Sequence, residues 1–190
     1  MTPRQAILAA VRRNRPAGRH ELPDVPRFPA DETDLAARFA ENLKRMGGKV
    51  LEDAAELPSA LPRSGVVCSA VSEVAGTRDP ALVARPADLA DVEAAVVRAV
   101  LGVAETGSVL FTEAELRTNA VAYLAQHLVV LLDPADIVAS IHDAYERPEF
   151  HAARYVVFHT GPSATADIEG VLVHGAQGVR SLTVVFVPRR

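Results

Sequence analysis

The chain has 190 residues, a net charge of −4 and 49% hydrophobic residues, which suits one folded domain with a sizeable core. The acidic balance, together with 5% aromatic residues and no tryptophan, argues against a nucleic-acid binder, which usually has a basic face with aromatic stacking positions. The single cysteine, Cys68, excludes an internal disulfide framework and an iron–sulfur cluster held by this chain's own thiolates.

Membrane and export signals are not evident in the sequence. No apolar run approaches the ~20 residues that a membrane-spanning helix needs. Arginines also interrupt the first apolar stretch too early for a signal peptide. We therefore expect a cytoplasmic protein without a membrane span.

The N-terminal region is predicted to be one helix and a connector. Thr2 and Pro3 are a hydroxyl cap followed by a proline at the first helical position. The arginines of this helix face no nearby acidic residue, which favours either a docking arm or a solvated peripheral face. Prolines are frequent in 14–31 and indicate an extended connector. We assign 1–32 to this helix and connector, and 33–190 to a single α/β domain.

Strand and helix candidates alternate through the rest of the chain. A helix is predicted from Thr33 to Gly47, because apolar residues recur on one of its faces. Further helices are predicted at 53–61, at 118–125 and from Asp133 onward, and the stretch 88–103 fits either a helix or strands. Apolar runs predict strands at 49–51, 65–69, either side of 105–108, 127–132, 155–160, 171–174 and 182–187.

Two of these strands determine the fold class. The runs 127–132 and 155–160 are nearly continuous in apolar residues, which is typical of strands covered on both faces by helices. Since strands and helices alternate, the sequence predicts an α/β fold with a mainly parallel or mixed sheet.

Two polar turns follow strands, where ligands of such sheets collect. The first contains Glu105, which could act as a base, a nucleophile or an orienting acceptor, or could simply bond backbone N–H groups of the turn. The second, 161–169, could present N–H groups and hydroxyls to an anion, or could be an ordinary strand exit with a side-chain cap. Arg180 could neutralise a carboxylate or phosphate. Our candidates are Glu105 for catalysis, and for ligand binding Thr106, Gly107, Gly161, Ser163, Thr165, Asp167, Glu169 and Arg180.

Familiar catalytic and cofactor motifs are not found. There is no G-x-G-x-x-G, Walker A or G-x-S-x-G sequence. His159, His174, Asp167 and Glu169 match no known spacing of metal ligands, so we predict neither a bound metal nor a cofactor.

Both polar turns resemble motifs of the lactate utilization protein C family, also called the LUD-domain family. The similar segments are 104–108 (Ala-Glu-Thr-Gly-Ser) and 161–169 (Gly-Pro-Ser-Ala-Thr-Ala-Asp-Ile-Glu), with Gly175, Gly178 and Arg180 downstream. The resemblance implies a three-layer α/β/α domain similar to the sugar-phosphate isomerase and CoA-transferase superfold. It also implies a role in a multi-component system that oxidises L-lactate to pyruvate, with iron–sulfur-bearing partner proteins and possible oligomers.

One segment departs from the family pattern. The family usually reads Gly-Val-His-Gly-Pro-Arg where 175–180 reads Gly-Ala-Gln-Gly-Val-Arg, so Gln177 replaces the histidine and Val179 the proline. Glutamine cannot titrate near neutral pH, so a proton-transfer role would be lost, whereas a hydrogen-bonding role would survive. His174 is a candidate to take the place of the family histidine.

Three functions are compatible with these residues. The first is a component of a lactate-oxidising assembly that has no cluster of its own and could bind a small anion. The second is a stand-alone enzyme of CoA-transferase or isomerase type that uses Glu105. The third is an adaptor that docks through the arginine-rich first helix.

Overall fold

The structure is a computed structural model that describes residues 2–18, 21–28, 33–167 and 170–189. Helix α1 (Pro3–Asn14) begins as predicted, because the Thr2 hydroxyl accepts from the Gln5 N–H and the Gln5 side chain accepts from the Thr2 N–H. No side chain of α1 is buried. Helix α2 (Leu35–Arg45) is capped by Asp34 rather than by the predicted Thr33.

Eleven strands are found in the described residues. They are β1 (Lys49–Leu51), β2 (Val66–Ser69), β3 (Val92–Arg98), β4 (Leu101–Val103), β5 (Ser108–Thr112), β6 (His127–Leu132), β7 (Ile137–Val138), β8 (Val156–His159), β9 (Ala164–Thr165), β10 (Val173–His174) and β11 (Ser181–Phe186). The short α-helices between them are α3 (Glu113–Leu116), α4 (Val121–Leu124), α5 (Ile141–Tyr145) and α6 (Pro148–Ala152). Turns of 3-10 helix lie at Ala54–Ala60, Pro80–Leu82, Pro86–Leu89 and Pro134–Asp136.

The central sheet is parallel and has the strand order β1-β11-β6-β3-β2. Alternate residues of its middle strands enter two different apolar clusters. Leu128 and Val130 of β6 pack on the side of Phe39 and Leu43 from α2. The intervening residues of β6, together with Val185 and partners from the Ala54–Ala60 turn, form the cluster on the other side. This double coverage explains the continuous apolar pattern of β6, and the α/β fold class with a mainly parallel sheet is confirmed.

A second, four-stranded sheet has the order β7-β4-β5-β8. Strands β4 and β5 form an antiparallel hairpin, and β8 pairs antiparallel with β5 at the edge. The prediction that 155–160 is a fully buried strand was wrong, because every residue of β8 is only half-buried. Val156 and Phe158 contact the cluster that contains Leu110, whereas Val157 between them packs against the main core cluster.

Two other segments differ from the sequence prediction. The stretch 88–103 contains β3 and β4, in agreement with the strand preference of its valines rather than with a helix. The helix expected from Asp133 is instead a 3-10 turn followed by β7, and α5 begins only after the Ser140 cap. None of the helices in the described ranges is long and apolar enough to cross a membrane.

Candidate functional site

The first polar turn is the β4–β5 hairpin loop, and it contacts two helices. The Ala104 carbonyl accepts a hydrogen bond from the Asn42 side chain of α2 at 2.8 Å. The Glu105 side chain, which is exposed, accepts from the Ile141 N–H at 3.0 Å. Glu105 therefore satisfies a free N–H group in the first turn of α5, which is the structural alternative to its candidate catalytic role.

Two glycines hold both polar turns against the C-terminal half of α2. Gly107 has a φ of +68°, and a Cβ on it would lie 2.5 Å from the Leu43 Cα. Gly161 has a φ of +73°, and a Cβ on it would overlap the carbonyl oxygen of Met46. These positions require glycine both for the left-handed backbone and for the close approach to the helix.

The two turns meet through a chain of hydroxyl groups. The Thr106 hydroxyl lies 2.7 Å from that of Ser108, which in turn lies 2.5 Å from the hydroxyl of Thr160. Ser108 is only 3% exposed, so this chain runs through the interior. The antiparallel pairing that places Val109 opposite His159 brings these residues together. The two turns are therefore in contact through Ser108 and Thr160, neither of which is among the candidate residues of the sequence analysis.

A cavity of about 270 Å³ lies beside the second turn. One wall is 160–163, and the facing wall is the loop 177–179. Backbone hydrogen bonds join the walls: the Ser163 N–H donates to the Val179 carbonyl at 3.0 Å, and the Gly175 N–H donates to the Ser163 carbonyl at 2.7 Å. The segment that departs from the family pattern therefore forms part of this cavity, and Gln177 lines it.

His159 and Tyr123 complete the lining. The His159 ring lies between the buried ring of Phe111 at 5.4 Å and the ring of Tyr123 at 5.1 Å. Its Nε2 atom is buried and has no hydrogen-bond partner among the described residues. Burial lowers the pKa of His159 to about 4, so the imidazole is neutral near pH 7.

The Tyr123 hydroxyl is hydrogen-bonded to the hydroxyl of Tyr155. Burial of this group, and secondly the bond to Tyr155, raise the pKa of Tyr123. Tyr123 thus stays protonated and remains a neutral hydrogen-bonding group at the mouth of the cavity.

The other candidate residues do not line this cavity. The Thr165 hydroxyl accepts from the Asp167 N–H at 3.3 Å, in a turn beside the β9–β10 pair. Arg180 is exposed, and its backbone N–H donates to the Gln126 carbonyl at 2.8 Å. His174 is exposed in β10. Glu169 lies outside the described residues.

Metal-ligating groups do not cluster in the described part of the chain. No group of three or more histidine, cysteine, aspartate or glutamate side chains there could hold a metal ion. Cys68 is buried in β2, and burial raises its pKa to about 11, so it is a packing residue rather than a reactive thiolate.

The structure is that of an α/β protein with a mainly parallel central sheet and a cavity of about 270 Å³ between two glycine-containing loops. The family model of the LUD domain matches residues 80–187, which is more than half of the chain and includes both polar turns. The chain therefore belongs to the LUD domain family, which is linked to lactate utilization.

Comparison with solved structures supports the same fold. The chain is similar to the crystal structure of a DUF162 family protein from Deinococcus radiodurans, with 17% sequence identity and a TM-score of 0.63. The similarity covers 84% of this chain and 99% of that chain. At this identity the likeness shows the fold alone. No curated protein matches the chain.

Proposed function

We propose that this protein is a component of an L-lactate utilization system that oxidises lactate to pyruvate. In this proposal it carries no iron–sulfur cluster of its own and acts beside cluster-bearing partner proteins. Membership of the LUD domain family supports the metabolic role. The lone, buried Cys68 supports the absence of cluster chemistry in this chain, since clusters are commonly held by several cysteine thiolates.

The proposal places a small anion in the cavity between 160–163 and 177–179. The observation that carries this part is that two segments form the walls of one cavity: 160–163, which overlaps a turn similar to a family motif, and 177–179, where this chain departs from the family pattern. The Ser163 hydroxyl and the Gln177 amide can each bond a carboxylate oxygen there. Among the described residues, the lining of the cavity has no charged side chain, which favours an anion with a single charge over a phosphate.

Reconstitution tests the metabolic role. Purified protein would be combined with cluster-bearing lactate utilization proteins, and L-lactate-dependent reduction of an artificial electron acceptor would be followed. We expect no turnover by this protein alone and faster turnover by the full set than by the partners alone. Unaided turnover of lactate, or a full set that performs no better than the partners, would contradict the proposal.

A cavity-filling variant tests the ligand site. Ser163→Leu places a larger apolar side chain in the cavity, whereas Ser59→Leu makes the same change at an exposed position. We expect the first variant to lose the stabilisation that L-lactate or pyruvate gives in a thermal-shift assay, and the second to keep it. Equal stabilisation of both variants would exclude this cavity as the site.

A further inference from the structure

His159 has an unusual position for a histidine, at the end of β8 and in the wall of the cavity. Its buried Nε2 is one of three side-chain atoms in the described residues that are buried without a hydrogen-bond partner. Such an atom carries a free-energy penalty that native proteins generally avoid, and it calls for a partner that completes the bond. The cavity is the place from which that partner can come.

The two rings that contact His159 in the described residues differ in exposure. Phe111 is fully buried in the main core cluster and fixes one side of the imidazole. Tyr123, the second ring that contacts the imidazole, is 39% exposed and belongs to α4, a helix of four residues. Its hydroxyl is bonded to the Tyr155 hydroxyl at the surface. Of the two rings that contact His159, Tyr123 is therefore the more exposed one.

The remaining polar side chains of the lining limit the class of ligand. The Thr160 hydroxyl is shared with Ser108, so we assign the carboxylate to the Ser163 hydroxyl and the Gln177 amide. A neutral imidazole can donate to a carbonyl oxygen or accept from a hydroxyl group, depending on its tautomer. The lining thus matches a small molecule with one carboxylate and one neighbouring hydroxyl or carbonyl oxygen.

We propose that His159 is the recognition group of this cavity and that Tyr123 is its cover: when Tyr123 rotates, Nε2 bonds the hydroxyl or carbonyl oxygen of a small monocarboxylate. This inference rests on the proposed function, because it names the residue that would distinguish the ligand of that same site. The low pKa of His159 agrees with it, since the imidazole stays uncharged at neutral pH.

Calorimetric titration tests recognition by His159. The probes are L-lactate and pyruvate, with propionate as the matched acid that lacks the second oxygen. For the wild-type protein we expect a preference of about tenfold for the oxygenated acids, the size of one well-placed hydrogen bond. His159→Phe should lose this preference, His159→Gln should keep part of it, and His142→Phe, a change of an exposed histidine, should keep it fully.

Chemical modification of the wild-type protein tests the cover independently of any variant at position 159. Diethyl pyrocarbonate modifies accessible neutral imidazoles, and mass spectrometry reports each histidine separately. We expect His159 to react at least tenfold more slowly than His142, Tyr123→Ala to abolish most of this difference, and L-lactate to protect His159 in that variant. Tyr145→Ala, which removes another exposed tyrosine, should leave the His159 rate unchanged.

The outcomes separate this inference from the proposed function. Three results would each overturn the inference. They are equal affinity for lactate and propionate, an unchanged preference in His159→Phe, and a rate of His159 modification that is the same in Tyr123→Ala as in the wild-type protein. None of these results would contradict the proposal that the reconstituted system oxidises lactate with the help of this protein. Conversely, unaided turnover would overturn the proposed function even if His159 selected the oxygenated acids.

Discussion

The sharpest test of the site's architecture is the substitution Gly161→Ala. Gly161 begins the second polar turn and lies against the C-terminal end of α2. A methyl group there meets two obstacles. The backbone has a φ of +73°, which L-residues avoid, and the new Cβ would overlap the Met46 carbonyl oxygen and lie 3.0 Å from its carbonyl carbon.

The two obstacles have separate magnitudes. The left-handed backbone costs about 1 kcal/mol for alanine. Overpacking against backbone atoms, which cannot rotate away as a side chain can, costs about 1–3 kcal/mol more. We therefore expect Gly161→Ala to lower the free energy of unfolding by about 3 kcal/mol, a large part of the 5–15 kcal/mol typical of a domain.

Gly170→Ala is the matched control. Gly170 has a similar φ of +68°, but a Cβ on it would meet no atom within 4 Å. Only the backbone cost of about 1 kcal/mol applies to it, so the difference between the two variants isolates the contact with α2.

Urea unfolding followed by circular dichroism measures both variants. We expect the midpoint to fall for Gly161→Ala by an amount about three times that for Gly170→Ala, with unchanged m-values. By thermal unfolding, the loss for Gly161→Ala corresponds to about 6–12 °C. If the two variants lost equal stability, the packing of the second turn on α2 would be refuted.

Three further substitutions probe other parts of the site. Ser108→Ala removes the buried hydroxyl that joins the two turns and should cost about 1–2 kcal/mol in urea unfolding; no loss would show that the hydroxyl chain does not stabilise the fold. Glu105→Ala should cost about 0.5–1 kcal/mol by freeing an N–H of α5, and should leave ligand affinity unchanged by calorimetry; a large loss of affinity would restore its catalytic candidacy. The pKa of His159 falls from 6.5 to about 4 on folding, so between these values only the unfolded chain binds the proton. The free energy of unfolding should therefore drop by up to about 1.4 kcal/mol per pH unit as pH falls through this range, and His159→Phe should flatten the slope; an unchanged slope would contradict the burial of this imidazole.

The central sheet could be predicted because its signal is local. Strand β6 is apolar on both faces and forms a short run bounded by polar residues. The glycines of the two turns were also recognisable, since 105–108 interrupts two apolar strand pieces. These features depend on residues close in sequence.

The environment of β8 could not be predicted for the opposite reason. Its four residues are as apolar as a buried strand, yet β8 lies at the edge of the second sheet and is only half-buried. What decides its burial is the pairing with β5, whose residues lie far away in the sequence. A short apolar run predicts a strand, but it does not predict which sheet the strand joins or whether the strand lies at the edge of that sheet.

The same limit applies to the site. Gly161 and Ser163 were selected because small residues after a strand mark a turn, but Tyr123 offers no such mark in its short helix. The spacing of His159 from other ligand-type residues predicts no metal site, and a lone histidine in an apolar run instead introduces a polar atom that needs a partner once it is buried. The pairing of β5 with β8 places Phe111 behind that imidazole, and α4 places Tyr123 in front of it. The chemistry of the cavity therefore arises from a contact between segments, and a polar residue inside an apolar strand is the feature of the sequence that points to it.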